Sequence, residues 1–344
     1  MKTHLRRFLI LWAAGAASAG SAEPPAPPEL PGILLASPHL RARFVDNSIR
    51  LNVAGDGVLP GYSGVASLVY RGQERNIFGP GGLNYETSGV EPRQGQRADL
   101  WNAPRMAPMT LEKVDDQTVV LRQKGAEAAG LNAEITYRLG DCWIDQTITL
   151  WPDTDIRSSH TFWASYMLFV RNTSLYLRAA LQDDPRMVWR EMTSAGHDGT
   201  GGGTYFRDCA PSGKTWLQFL TDDPVTRQAV FETAASRAAT EAAGFRLGRL
   251  TAFDNFFFGF VDDFVALWIF RPPADATIGP WLSASGAQAL RRPAWDFAIS
   301  SGPQRAGERR SCGVRFVYKP YAGLEDVLQE VARFQNGDGG GQGP

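Results

Sequence analysis

Along most of the chain, short apolar runs alternate with polar residues at a period of two, and turn-forming residues separate the runs. A strand turns successive side chains to opposite faces, so this period predicts strands buried on one side. In "ARFVDNSIRLNV" two such runs flank Asp46-Asn47, and in "SGVASLVYRGQERNIF" they flank Arg71-Gly72. "MTLEKVDDQTVVLRQK" turns at Asp115-Asp116 and "LNAEITYRLGDCWIDQTITLWPD" at Gly140-Asp141, all residues that favour tight turns. Further apolar runs follow in "KTWLQFLTDD", "QAVFETAA", "FFFGFVDDFVALWIFRPP" and "RRSCGVRFVYKP". One segment departs from the pattern. In "GLEDVLQEVARF", Leu324, Val327, Leu328, Val331 and Phe334 fall on one stripe behind Glu325 and Asp326, which predicts an amphipathic helix. "TRQAVFETAASRAATEAAGF" holds enough alanine for a second helix, although its Thr and Ser residues weaken it.

Many closely spaced strands, one terminal helix and no strand–helix alternation predict an all-β protein. The expected fold is a large antiparallel β-sandwich with a C-terminal α-helix, not a parallel α/β sheet. At 344 residues, 43% of them hydrophobic and 21% charged, the chain can bury one large core, expected over residues 40–335.

The ends read differently. Lys2, Arg6 and Arg7 precede an apolar run from Phe8 to Ala17 and then small residues up to Ala22, the pattern of a cleaved signal peptide over residues 1–22. That run is too short to anchor the chain across a bilayer, and no Cys follows it to carry a lipid. A Pro-rich linker is expected over 23–39 and a flexible Gly-rich tail over 336–344. The protein is therefore expected to be secreted or periplasmic, with no membrane contact after cleavage. Removing residues 1–22 takes away three basic residues and no acidic one; 32 then stand against 36, and the formal charge goes from −1 to −4. Such a surface does not suit nucleic acid.

Cys142, Cys209 and Cys312 show no C-x-x-C spacing, which speaks against a zinc site; export permits one disulfide among them, with the pairing open. No dinucleotide-binding glycine pattern, phosphate loop or nucleophile elbow is present, and "GTGGGTYF" lacks the Lys and the helix that would make it a phosphate loop. No cofactor is implied.

Candidate chemistry concentrates in "SSHTFWASYMLF", Ser158 to Phe169. As a strand, it places His160, Phe162, Ala164 and Tyr166 on one face and Thr161, Trp163, Ser165 and Met167 on the other. A neutral His accepts a proton near pH 7, and a Tyr transfers one if an Arg such as Arg171 lowers its pKa. The plain alternative is a satisfied core histidine among core aromatics. In "TAFDNFFFGFVDDFVALWIF", Asp254 and Asp262 are either a carboxylate pair for hydrolysis or the polar residues of two turns, and turn chemistry accounts for them. Cation binding there has no supporting loop motif. Ten tryptophans are available for stacking on sugar rings, with Trp101, Trp163, Trp189 and Trp295 beside polar or turn residues.

The order of elements resembles that of the galactose-mutarotase-like superfamily. "GVASLVYRGQERNIFGPGG" resembles its opening hairpin and "AEITYRLGDCWIDQTITLWPDTD" its central one. "SSHTFWASYM" falls where those proteins place a strand bearing an active-site histidine, and "VRFVYKPYAGLEDVLQEVARF" resembles the terminal strand and helix of exported bacterial proteins of this fold. The resemblance spans Leu40 to Phe334 and implies a mutarotase-like supersandwich with a sugar-holding concave sheet. The mutarotase pattern uses two histidines and a late glutamate. His160 matches the first, but His197 lies in a glycine-rich loop, Glu308 in a polar loop, and Glu325 and Glu330 on the helix. The resemblance thus implies an exported carbohydrate-active enzyme, a polysaccharide lyase or glycoside hydrolase before a mutarotase, with His160, Tyr166 and Arg171 moving protons. Trp101, Trp163, Trp295, Asp254 and Asp262 would bind the sugar. The alternative is a non-catalytic carbohydrate-binding or structural sandwich.

Overall fold

The structure is a computed structural model, and it describes residues 31–48, 52–53, 57–58, 61–73, 75–92, 98–100, 103–125, 130–170, 173–194, 204–209, 240–283 and 293–337. Among them the strands form two large antiparallel sheets and a two-stranded ladder of β3 (Asn52–Val53) and β4 (Gly57–Val58).

The first sheet runs β1 (Ile33–Ala36), β2 (Leu40–Val45), β5 (Gly64–Tyr70), β6 (Phe78–Pro92), β12 (Ile156–Met167), β21 (Ala294–Ser301) and β20 (Ala276–Ser283), with β7 (Ala98–Leu100) paired to β6. The second begins with β16 (Arg246–Leu247), β15 (Thr204–Asp208), β14 (Asp184–Ser194), β13 (Leu175–Leu181) and β18 (Phe256–Val261). It continues through β19 (Phe264–Arg271), β22 (Arg310–Pro320), β11 (Trp143–Pro152), β10 (Leu131–Leu139), β9 (Thr118–Gln123) and β8 (Met109–Lys113), with β17 (Leu250–Phe253) beside β13. The turns at Arg71-Gly72, Asp115-Asp116, Gly140-Asp141 and Asp262-Asp263 stand where the period-two pattern breaks.

The fold is the expected all-β sandwich. One core fills the space between the sheets, from Phe44, Tyr85 and Trp163 on one side to Trp268, Phe316 and Tyr137 on the other. A second apolar cluster covers the outer face of the larger sheet, where α2 (Leu324–Gln335) lays Val327, Val331 and Phe334 on Phe258, Phe260, Leu267 and Val317. This is the use its apolar stripe predicts.

One difference from the sequence reading concerns a boundary. The first described strand, Ile33–Ala36, lies inside the stretch read as linker. Ile33–Ala36 pairs with β2, Leu35 is buried, and the Leu40 N–H donates to Ser37 Oγ at 3.0 Å to close the turn. A β-former run this short, next to five prolines in residues 24–31, is masked by its neighbours in composition. The runs "KTWLQFLTDD" and "QAVFETAA" lie outside the described residues, as does the Ala-rich segment apart from its end at 240–245.

Candidate active site

The middle of the first sheet is built from β6, β12 and β21, and alternation divides their side chains between two faces. Trp163 stacks between Tyr85 and Phe297 in the inter-sheet core, and Trp295 meets Trp268 there and donates its indole N–H to the Thr173 carbonyl at 3.0 Å. Both indoles are fully buried, so neither lines a groove: the expectation that Trp163 and Trp295 bind sugar is corrected by the pleat, which turns them inward. Asp296, Ala298 and Ser300 alternate with these core residues and stand on the outer face with Phe162, Ala164 and Tyr166.

Pairing places four residues in one row across that face. Asn84 of β6 faces Ala164 of β12. Asp296 of β21 lies at the same level, between the pairs Trp163–Phe297 and Tyr166–Ala294. Trp281 of β20 faces Asp296. Trp281 is 38% exposed and meets Phe162 edge-on with ring centroids 5.8 Å apart. The small side chains of Ala164, Ala294 and Ala298 separate these larger groups.

Next to this row β6 carries a bulge. Phe162 pairs with Thr87 and Trp163 with Tyr85, so Glu86 is the extra residue. Bulges re-aim side chains, and this one sends Glu86 onto the outer face while Tyr85 stays in the core. There the buried carboxylate accepts from Arg105 Nη2 and from the Tyr166 hydroxyl, the latter at 3.3 and 3.1 Å from its two oxygens. Arg105 Nη2 also lies 3.4 Å from the Tyr166 oxygen, and its guanidinium covers the Tyr62 ring at 4.2 Å. Tyr62 meets Tyr166 edge-on, with centroids 6.1 Å apart.

Arg105 comes from α1 (Ala103–Met106), a turn too short to hold itself. The Gln123 amide does that work by donating to the Pro104 and Ala107 carbonyls at 2.9 Å each, and the Asn47 amide adds a bond to Pro104 at 3.0 Å. Gly81, at φ 104°, is also required. A Cβ there would sit 2.8 Å from Tyr166 Cδ2 and 2.8 Å from Tyr62 Cε1, so only glycine lets the two rings close over the loop.

Burial, reinforced by the negative charge of Glu86, raises the Tyr166 pKa well above that of a free phenol, against the smaller opposing pull of Arg105. Tyr166 is therefore a neutral hydrogen-bond donor. The Arg beside it among the described residues is Arg105, whose lowering effect on the phenol is outweighed by burial and Glu86. The Tyr62 phenol is raised as well, again chiefly by burial.

The remaining expected residues scatter. His160 shares the outer face with Tyr166, but six residues of strand put roughly 20 Å between them, so they do not share one centre. Its Nδ1 is 2.9 Å from Ser300 Oγ on β21. Arg171 and Trp101 lie outside the described residues. Asp254 and Asp262 stand at opposite ends of β18. Asp254 is 3.3 Å from Arg178 Nε beside the turn residue Asn255, and Asp262 occupies a hairpin tip at φ 49° in an ion pair with Arg75. They are turn residues and not a carboxylate pair. Trp189 packs edge-on against Phe256 and Phe258 beside the α2 cluster.

All three cysteines are free thiols, and burial pushes those of Cys209 and Cys312 up to about 12. Among the described residues no group of three His, Cys, Asp or Glu side chains could hold a metal ion, and no helix is long and apolar enough to cross a membrane. A separate cleft of about 600 Å³ opens between the sheets beside Met192, Phe206, Arg249, Phe253 and Ile278, away from the Glu86 cluster.

No family model matches the chain, and neither does any curated protein. Solved structures share its backbone course. A galactose mutarotase-like protein from Lactobacillus casei has 10% identity over 83% of this chain and 99% of its own, with a TM-score of 0.45. A protein from Synechocystis sp. PCC 6803 has 11% identity over 86% of this chain and 98% of its own, with a TM-score of 0.49. An α-N-acetylgalactosaminidase from Bifidobacterium bifidum has 15% identity over 89% of this chain and 39% of its own, with a TM-score of 0.45. These likenesses concern the backbone alone.

Proposed function

We propose that the outer face of the first sheet binds a sugar and that Glu86 exchanges a proton with it, making the protein an exported carbohydrate-active enzyme. The observation that carries this reading is the buried Glu86–Arg105–Tyr166 cluster on the same open face as Trp281. Burying a carboxylate with a guanidinium and a phenol carries a desolvation cost that apolar residues would not, and such clusters concentrate at functional sites. The half-exposed indole of Trp281, steadied by Phe162, offers the flat π-face that pyranose C–H groups stack on. Glu86 acts as the acid or base, Tyr166 donates a hydrogen bond to it or to the sugar, and Arg105 fixes the carboxylate and supports its charge. Export is proposed from the basic and apolar opening of the chain, and N-terminal sequencing of the mature protein should begin near Glu23.

A second reading, non-catalytic carbohydrate binding, is favoured by one detail: Glu86 already accepts from both Arg105 and Tyr166. Turnover separates the two. Purified protein is incubated with neutral and uronic-acid polysaccharides, and reducing ends and unsaturated-uronate absorbance are followed. The enzyme reading expects turnover, measured at a temperature where the variant is folded, that Glu86→Gln lowers by about 10²–10⁴-fold. Sugar binding without turnover supports the second reading, and absence of both removes the sugar from the account.

A further inference from the structure

Asn84 sits beside this cluster and has no role in holding it. It is fully buried on the outer face, between the core residues Leu83 and Tyr85 and opposite Ala164, yet among the described residues neither polar atom of its carboxamide has a hydrogen-bond partner. Both atoms are orphaned, so turning the amide over changes nothing. Nearby, Arg105 Nε is also buried with no partner among the described residues. Buried amides are almost always paired, and a protein that keeps one orphaned next to a charged cluster is keeping hydrogen-bonding capacity for something outside the chain.

We infer that Asn84 reads the ligand, and that the ligand group it reads is a neutral vicinal diol of a sugar and not a uronate, sulfate or phosphate. This rests on the outer face being the sugar site. Nδ2 needs an acceptor and Oδ1 needs a donor. Two neighbouring hydroxyls supply both, because each hydroxyl donates and accepts. An ionised carboxylate, sulfate or phosphate only accepts. It would satisfy Nδ2 and Arg105 Nε but leave Oδ1 facing a negative charge, with the acceptor oxygens of Glu86 and Asp296 on the same face. Donor groups complement this collection of acceptors, and neutral sugars carry them. The assignment narrows the substrate class set out above and turns away from uronate lyase chemistry.

The test uses Asn84→Leu, which keeps the volume and removes both polar atoms, with Asn84→Ala as a second variant. Binding is measured by calorimetry against gluco-, galacto- and N-acetylhexosamine oligosaccharides of two to six residues, and against oligogalacturonate and oligoalginate. Wild type should bind a neutral series and not the uronates. Asn84→Leu should weaken that binding by roughly 10- to 100-fold, the loss of two ordinary hydrogen bonds, while its Tm stays level or rises because an unsatisfied amide has left the interior. Two results would overturn the inference alone: neutral-sugar binding that both variants keep, or uronate binding equal to or tighter than neutral. A fallen Tm or failed folding in Asn84→Leu would also overturn it, showing that the amide serves the fold through buried water. If wild type binds no sugar of either kind, the proposed function falls and this inference with it.

Discussion

Replacing Arg105 with Met probes the cluster where its energetics are most exposed. The change keeps an unbranched, apolar side chain of similar reach and removes the guanidinium. Three interactions go with it: the ion pair to Glu86, the contact with the Tyr166 hydroxyl at 3.4 Å, and the stacking over Tyr62 at 4.2 Å. The side chains of Arg105 and Glu86 are only 7% and 10% exposed, so solvent replaces little of what is lost. Breaking a buried pair from one side costs about 3–5 kcal/mol, and the lower end applies here because Tyr166 still donates to the carboxylate. At about 2–4 °C per kcal/mol for a domain of this size, a loss of about 3 kcal/mol lowers Tm by roughly 6–12 °C at pH 7. The deficit should narrow as the pH falls and the abandoned carboxyl takes up a proton. Adding Glu86→Gln to Arg105→Met should recover most of the loss, since the charge that needed a partner is gone. Thermal unfolding followed by circular dichroism at pH 7 and pH 5, over the full double-mutant cycle, measures each quantity. A single variant within 2 °C of wild type, or a cycle with no coupling, would refute the buried-pair account.

Other predictions follow from the same geometry. Trp163→Ala should cost about 3–5 kcal/mol through the cavity left between Tyr85 and Phe297, seen as a large fall in denaturation midpoint, whereas an unchanged midpoint would place the indole outside the core. Trp281→Ala should leave Tm within a few degrees and weaken oligosaccharide binding, and full retention of affinity would exclude the platform role. Burial raises the phenols of Tyr85, to about 12, and of Tyr137, Tyr166 and Tyr318. The folded state therefore holds these protons more tightly than the unfolded chain. Their contribution to stability is complete below about pH 10 and is lost as the pH rises through the folded values, so denaturant midpoints should fall steeply above pH 10. A flat midpoint up to pH 11.5 would contradict that burial.

The sandwich was legible because its signal is local. Strands of period two and turn pairs such as Gly140-Asp141 specify hairpins without long-range information, and the stripe of "GLEDVLQEVARF" specifies a helix with a sheet to cover. The alternation also placed His160, Phe162 and Tyr166 on one face and Trp163 on the other. What it could not convey was which face was the core, and so Trp163 and Trp295 looked available for sugar when they are the centre of the packing. Nor does a shared face mean a shared centre: strand rise separates His160 from Tyr166. The partners that do meet Tyr166 were invisible because they are distant in sequence. Glu86 reaches it through a bulge on β6, and Arg105 through a single helical turn pinned by Asn47 and Gln123. One hint was present in "GPGGLNYETSG", whose Gly81 makes room for Tyr166 and Tyr62. A polar Asn and Glu alternating with Leu and Tyr in a strand could have been marked as a polar face.

The most direct test is to locate the sugar. Crystals of the protein grown with the tightest-binding oligosaccharide from the panel should show a pyranose ring stacked near Trp281 and Phe162. Its hydroxyls should lie within hydrogen-bond distance of Asn84 and the Glu86 carboxylate. A sugar seated instead in the cleft beside Phe206 and Arg249, with the outer face of the first sheet empty, would contradict the account.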